Sequence, residues 1–399
     1  MHAEDMTEIS RDVVALLGRL VAAPSPNPPG DERYIAAVVN EAADALRLPA
    51  PQLFARDPTR PNLILEVGEG TPRLVLAAHL DTMPPGNLSE WESDPFVLTQ
   101  RGGRLYGLGS ADMKGAIAAA LLAISRWTHG TRGRGSVALV LAADEENCSA
   151  FGMEWLAQQG LLHGDAAVLL EPSSLGANSW EELFIAQRGS CLAWLVAHGE
   201  PGHSGAHVPR ERRASFVFAH GLYALVNANL FVGHCHPVDG TPVTVNIATI
   251  VDGGMVPYAH PAVLRAAIEV RTIEGLTLDD VLAELRRPLI EAGLADRVEI
   301  VPDSSPARKW FDPGLAVSDQ RLLAAISHAW RSVLGPPPRP TVMPAGTDST
   351  HLNAAGIPAL PAFGPGSLAV AHRPNESIAE ADLIRSVDLF ESLIRAYMK

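Results

Sequence analysis

Apolar residues Ile9, Val13, Leu16, Leu17 and Leu20 recur at the helical period, and the proline-rich segment 24–29 stops the helix they predict. A second stripe through Ile35, Val38, Val39, Ala42 and Leu46 predicts another helix. The pattern then changes. Residues 74–78, 137–142 and 167–170 are short continuous apolar runs, as expected of strands buried on both faces. Helix-length segments at 113–126 and 150–159 lie between them, so the reading is α/β, with a mostly parallel sheet flanked by helices. From residue 187 the texture differs, with strands at 192–197, 243–250 and 264–271 and helices at 214–226 and 278–291. This predicts an inserted α+β unit over 187–301, interrupting one domain made of 1–186 and 302–399. After a loop at 302–313, a helix at 322–334, a strand at 359–363 and a final helix at 380–397 complete that domain.

Composition narrows the class. Apolar residues are 47% and charged residues 19% of 399, below the roughly 25% charged of typical soluble domains, so global disorder is excluded. A net charge of −14, without a basic patch, argues against nucleic acid as a partner. The three cysteines are widely spaced and fit neither a disulfide framework nor a zinc ribbon, which points to the cytoplasm. The acidic start lacks the features of a secretory signal, and the longest apolar helical stretch, 116–124, falls short of the roughly 20 residues that span a bilayer, so no membrane association is expected.

Candidate ligands follow the apolar strands. Run 74–78 leads into His79 and Asp81, run 137–142 into Asp144, Glu145 and Glu146, and run 167–170 into Glu171. Ligands bind at the carboxyl ends of strands in open α/β sheets, so these ends are expected to converge. Any single carboxylate there can be a cap or turn former, as can Asp112 at the start of an Ala-rich helix. Adjacent Glu145 and Glu146 in an apolar context are different, because buried like charges need a cation or a proton to coexist. Asp81, two residues from His79, is placed to fix the imidazole tautomer through its carboxylate.

Six motifs in order resemble the M20 family of metallopeptidases and amidohydrolases: His79-x-Asp81, the Gly-rich run ending Asp112-Met113-Lys114-Gly115, Glu145-Glu146, Glu171-Pro172, Gly202-His203-Ser204 and Ala371-His372 through Asn375-Glu376. The resemblance implies a zinc-peptidase-like catalytic domain with a lid and dimerisation insert, and a homodimer. It implies two divalent metal ions, with His79, Asp112 and Glu171 at one, and Glu146, His372 and the bridging Asp112 at the other. Zinc suits this imidazole and carboxylate set, which also admits cobalt or manganese. Glu145 would be the general base acting on a metal-bridging hydroxide, Asp81 the residue orienting His79, and His203 the oxyanion stabiliser. Asn246 and Arg271 would hold the carboxylate of a small-molecule substrate, and Gly346 and Thr347 would border its pocket. Glu at position 171 resembles the deacylase and carboxypeptidase branch, so the expected reaction is cleavage of the amide of an N-acyl amino acid or small peptide-like substrate.

Other readings compete. Hydrolytic deamination of an amino-substituted aromatic acid would use the same centre, and a dipeptidase is a further alternative. A catalytically silent binding protein would not need all five ligands and Glu145. His234-Cys235-His236 offers potential ligands, but strand alternation would split them. Cys148 beside two carboxylates is a poor thiolate.

Overall fold

The computed structural model describes residues 3–130, 134–305 and 310–399, with side chains from residue 10 onward, so the side chain of Ile9 in the first stripe and residues 306–309 of the expected loop lie outside what is described. The chain forms two compact units. The larger comprises Met1–Ala186, Leu315–Met343 and Thr347–Lys399, and the smaller comprises Gln187–Gly314 with Pro344–Gly346. Among the described residues, no helix is long and apolar enough to cross a membrane.

The larger unit is built on a six-stranded sheet with spatial order Gln52–Ala55, Pro61–Glu69, Gly135–Ala142, Arg73–His79, Ala166–Leu169, Ala359–Leu360. The last four run parallel, while Pro61–Glu69 pairs antiparallel with both of its neighbours. The apolar runs become the central strands for the expected reason: both faces are covered. Leu74, Leu76 and Ala78 pack into a core with the helices Ala3–Val21, Arg33–Ala45, Lys114–His129, Gln320–Val333 and Glu380–Tyr397. Their alternates Val75 and Ala77 pack on the opposite face with Met153 and Leu156 of the short helix Met153–Gln158 and with Leu352. Period-two alternation thus feeds two cores from one strand. The helix Lys114–His129 is alanine-rich and buried almost throughout.

The smaller unit is a four-stranded antiparallel sheet in the order Thr244–Asp252, Val263–Thr272, Gly189–His198, Val298–Pro302. In Gly189–His198, Cys191, Ala193, Leu195 and Ala197 face inward and pack with residues of the helices Ala214–Val226 and Leu278–Glu291. The unit extends past residue 301, because Phe311 bridges to Ser190 through two backbone hydrogen bonds. The edge strand Gln52–Ala55 and its antiparallel neighbour Pro61–Glu69 are not among the expected strands. Gln52–Ala55 is half exposed, and Pro61–Glu69 opens on proline and asparagine, so neither has the continuous apolar run that marks the centre.

Candidate metal centre

His79 closes its strand, and the two neighbouring parallel strands end beside it, so Asp81, Asp144 to Glu146 and Glu171 emerge at one edge of the sheet. Asp112 arrives from the turn before the helix Lys114–His129. It is not that helix's cap, since Met113 holds the capping position without a side-chain bond. Its carboxylate instead lies between two imidazoles: Oδ1 is 3.1 Å from His79 Nε2 and Oδ2 is 3.4 Å from His372 Nε2. Glu171 Oε1 lies 3.6 Å from His79 Nε2, and Glu146 Oε2 lies 3.1 Å from His372 Nε2. Two groups each offer possible ligand atoms that lie within 4.8 Å of one another inside the group: His79, Asp112, Glu146 and His79, Glu145, Glu171. Glu145 thus stands beside Glu171, closer to the ligand set than the sequence indicates.

One expectation is corrected. The partner of His79 Nδ1 is the main-chain carbonyl of Asp81 at 2.9 Å, not its carboxylate, whose nearer oxygen is 3.6 Å away. The strand ends at His79, so alternation does not extend to Asp81. The Asp81 carboxylate is taken up elsewhere, accepting from Asn27 Nδ2 at 2.8 Å and from the backbone N–H groups of Glu145 and Glu146 at 3.1 and 3.2 Å. Asp81 therefore orients the ring through its backbone and the Glu145-Glu146 turn through its side chain.

The donor set fits divalent cations. A carbonyl can only accept, so a neutral His79 carries its proton on Nδ1 and aims the Nε2 lone pair at the oxygens of Asp112 and Glu171. Lone pair facing carboxylate is repulsive unless a proton or a cation lies between. Without a cation the protons gather there. Burial opposes charge on His79, but Glu171, Asp112 and Glu145 raise its pKa well above the ordinary value. The His372 imidazole, bonded to Asp112 and Glu146, is pushed up to about 10. Burial, then neighbouring carboxylates, push Glu145 and Glu171 well above the carboxylate range, and burial also raises Glu146. Asp112 moves oppositely: burial would raise it, but hydrogen bonds from both imidazoles hold it low.

Several supporting groups have roles that the sequence does not assign. Asp144, at φ +64°, accepts from Asn27 at 2.9 Å and from Arg60 at 3.0 Å, and Arg60 makes a two-point bridge to the fully buried Glu32 at 2.7 and 2.8 Å. Asn62 accepts from Ala143 N–H at 2.9 Å. Asp348 is buried, accepts a hydrogen bond from Ser149, and is raised to about 7, chiefly by burial. Only the fold brings them together. Thr347, in the same loop, donates to Ser349 at 3.2 Å.

The smaller unit holds the remaining candidates. Asn246 and Arg271 meet on adjacent strands and grip one carboxylate, Glu269, at 2.9 and 2.6 Å. Arg188, buried and not singled out by the sequence, donates to Thr244 Oγ1 at 3.2 Å. His203 is exposed, with Nδ1 accepting from Gly205 N–H at 3.1 Å. Gly346 packs so tightly that an added Cβ would sit 2.3 Å from the Phe311 ring. His234 and Cys235 are exposed while His236 is buried, so the three form no joint ligand set.

A carboxylate and imidazole cluster, buried except at the exposed His372, lies at the carboxyl edge of an α/β sheet and could hold divalent cations. The model of Peptidase family M20/M25/M40 matches residues 75–396, and the chain belongs to that family, whose members hydrolyse amide C–N bonds. It is similar to succinyl-diaminopimelate desuccinylase of Rhizorhabdus wittichii, 29% identical over 97% of this chain and 98% of the relative. The desuccinylase of Gluconobacter oxydans is 41% identical over 37% of this chain and 39% of the relative. Among solved structures, an M20 family metallo-carboxypeptidase from Sulfolobus solfataricus superposes with a TM-score of 0.76 at 18% identity, covering 97% of this chain and 99% of that one.

Proposed function

We propose that the protein hydrolyses the amide of an N-acyl amino acid, or of a small peptide-like substrate with a free carboxylate, and that N-succinyl amino acids are the first substrates to test. The observation that carries this is Asp112 set between His79 and His372, with Glu146 and Glu171 completing two ligand groups. Two divalent cations held there, zinc first and cobalt or manganese next, would supply Lewis acidity toward the scissile carbonyl and lower the pKa of water. Asp112 would bridge, His79 and Glu171 would complete one site, and Glu146 and His372 the other. Glu145 takes a proton from the attacking water on its carboxylate and returns it to the leaving nitrogen, so water adds, the C–N bond breaks and an acid and an amine leave. Asp81 holds the Glu145 and Glu146 backbone while this happens.

In this reading residues 187–301 belong to a lid and dimerisation domain, and His203 stabilises the oxyanion. Arg271 and Asn246 receive the substrate carboxylate. The planar guanidinium suits that task, and the grip on Glu269 supports it by showing the two side chains converging on a carboxylate. Gly346 and Thr347 border the pocket. Apolar side chains exposed on the smaller unit, among them Tyr223, Met255 and Tyr258, support a homodimer. A cytoplasmic setting is part of the same proposal and rests on three widely spaced cysteines that suit no disulfide framework.

The test is a panel of N-succinyl and other N-acyl amino acids, dipeptides and aminobenzoates with metal supplied. Acid and amine are the expected products; ammonia from an aminobenzoate would replace this reading by deamination. Chelation should abolish turnover and metal add-back restore it. Glu145→Gln should keep both ions and lose roughly 10²-fold or more in kcat. Loss of an ion instead would make Glu145 a ligand, as its place beside His79 and Glu171 allows.

A further inference from the structure

Glu376 lies four positions beyond His372, and the proposed chemistry gives it no part. It is 2% exposed, and among the described residues its hydrogen-bond partners are main-chain N–H groups, with the buried Lys114 acting on it only through its charge. Oε2 accepts from Gly109 N–H at 2.9 Å, and Oε1 accepts from Ala111 and Asp112 N–H at 2.9 and 3.0 Å. Its own carbonyl accepts from Gly107 N–H at 3.1 Å. Four bonds from one residue therefore span the turn that delivers Asp112.

The same segment delivers His372. The strand Ser377–Ala379 pairs with Arg104–Tyr106, just before that turn. On the other side, Asn375 accepts from Glu92 N–H at 2.8 Å and donates to the Glu90 carbonyl at 2.9 Å. Residues 372–376 are thus pinned at one end, with His372 and Asn375 both at positive φ. The result is the 3.4 Å approach of His372 Nε2 to Asp112 Oδ2.

We propose that Glu376 is a positioning residue that locks the Asp112 turn to the His372 segment, and so sets the geometry of the cation site shared by Asp112, Glu146 and His372. The proposal rests on the metallohydrolase reading above. A purely structural role would anchor the chain without favouring either site. Asp112 is common to both sites, but the site built on His79 and Glu171 draws those two ligands from strand ends that Glu376 does not bond, whereas the other takes both Asp112 and His372 from the segments that Glu376 joins, so a positioning role weakens that second site more than the first.

Glu376→Gln preserves shape, but its amide nitrogen must face an N–H donor. Glu376→Asp keeps the charge and falls short of the full set of donors. The metal-free full chain of each is titrated with Co²⁺, followed by calorimetry and by the visible absorption of the bound ion. Expected is a weakening of about 10- to 100-fold for one of two equivalents, the range found when groups supporting metal ligands are removed. The other equivalent, which shares Asp112 but not His372, should weaken less, and with metal supplied kcat should fall with KM nearly unchanged. Leu393→Ala, in the buried face of Glu380–Tyr397, serves as a control that lowers stability without touching either loop. Two unaltered equivalents in folded Glu376→Gln would overturn the proposal, as would the same selective loss in Leu393→Ala. Wild-type protein that binds no divalent ion would remove the metallohydrolase reading, and this inference with it.

Discussion

A guanidinium with its side chain 7% exposed is tolerable only if its charge is met, and Arg60 is met twice, by Glu32 and by Asp144. Through Asp144 and Asn27 this bridge reaches Asp81 and hence the backbone of Glu145 and Glu146. Arg60→Met leaves Glu32 and Asp144 buried and uncompensated, so urea unfolding should show a loss of about 3–5 kcal/mol. Adding Glu32→Gln should recover part of that loss, because it removes the charge left unpaired. A double variant as unstable as the sum of the two singles would show that no coupling exists. Here the sequence stops being informative. His79, Glu145 and Glu171 were legible because each follows an apolar run, whereas Asn27 sits in a proline-rich stop and Arg60 in a polar turn. Nothing local marks them as neighbours.

Secondary-structure elements were most legible where burial is complete on both sides. The central strands and the amphipathic helices follow their apolar periods closely, while the antiparallel edge and the short pairings depend on partners far along the chain. The helix expected at 150–159 is shorter, Met153–Gln158, since residues 149–152 are used to fold back under the Asp144 turn. Gly152 makes that return possible: a Cβ there would lie 1.7 Å from the Ala143 carbonyl oxygen. Backbone cannot yield as a flexible side chain does, so Gly152→Ala should cost about 1–3 kcal/mol. Gly18, inside Ala3–Val21, is the contrasting case, with its nearest neighbour, Leu98 Cδ2, at an ordinary 3.7 Å. Gly18→Ala should therefore stabilise by up to about 1 kcal/mol through helix propensity. Thermal or urea midpoints of the two variants should move in opposite directions; a shared direction would contradict the steric reading of the Asp144 turn.

For the whole molecule, the acidity of the chain, −14 overall, matters most where it is buried. In the cation-free protein, Glu145 and Glu171 are raised from 4.5 by burial and neighbouring carboxylates. His79 is raised from 6.5 by Glu171, Asp112 and Glu145 against burial, and His372 reaches about 10 through Asp112 and Glu146. Raised groups bind protons more tightly when folded, so their stabilisation is full below the unfolded values and is lost as pH rises through the folded ones. Asp112 works oppositely: its contribution is present above 3.8 and is lost as pH falls through its lower folded value. Together these make the unfolding temperature of cation-free protein fall from about pH 5 toward about pH 9, less the opposite contribution above neutrality of the buried Lys114, which burial lowers to about 7. Cation binding needs the same carboxylates ionised and both imidazoles neutral, so its stabilising effect grows over that interval. The expected result in scanning calorimetry is a gap between loaded and cation-free midpoints that widens as pH rises. A gap that is constant or narrows would mean that the buried cluster is held by its protons alone, and that divalent ions bind elsewhere.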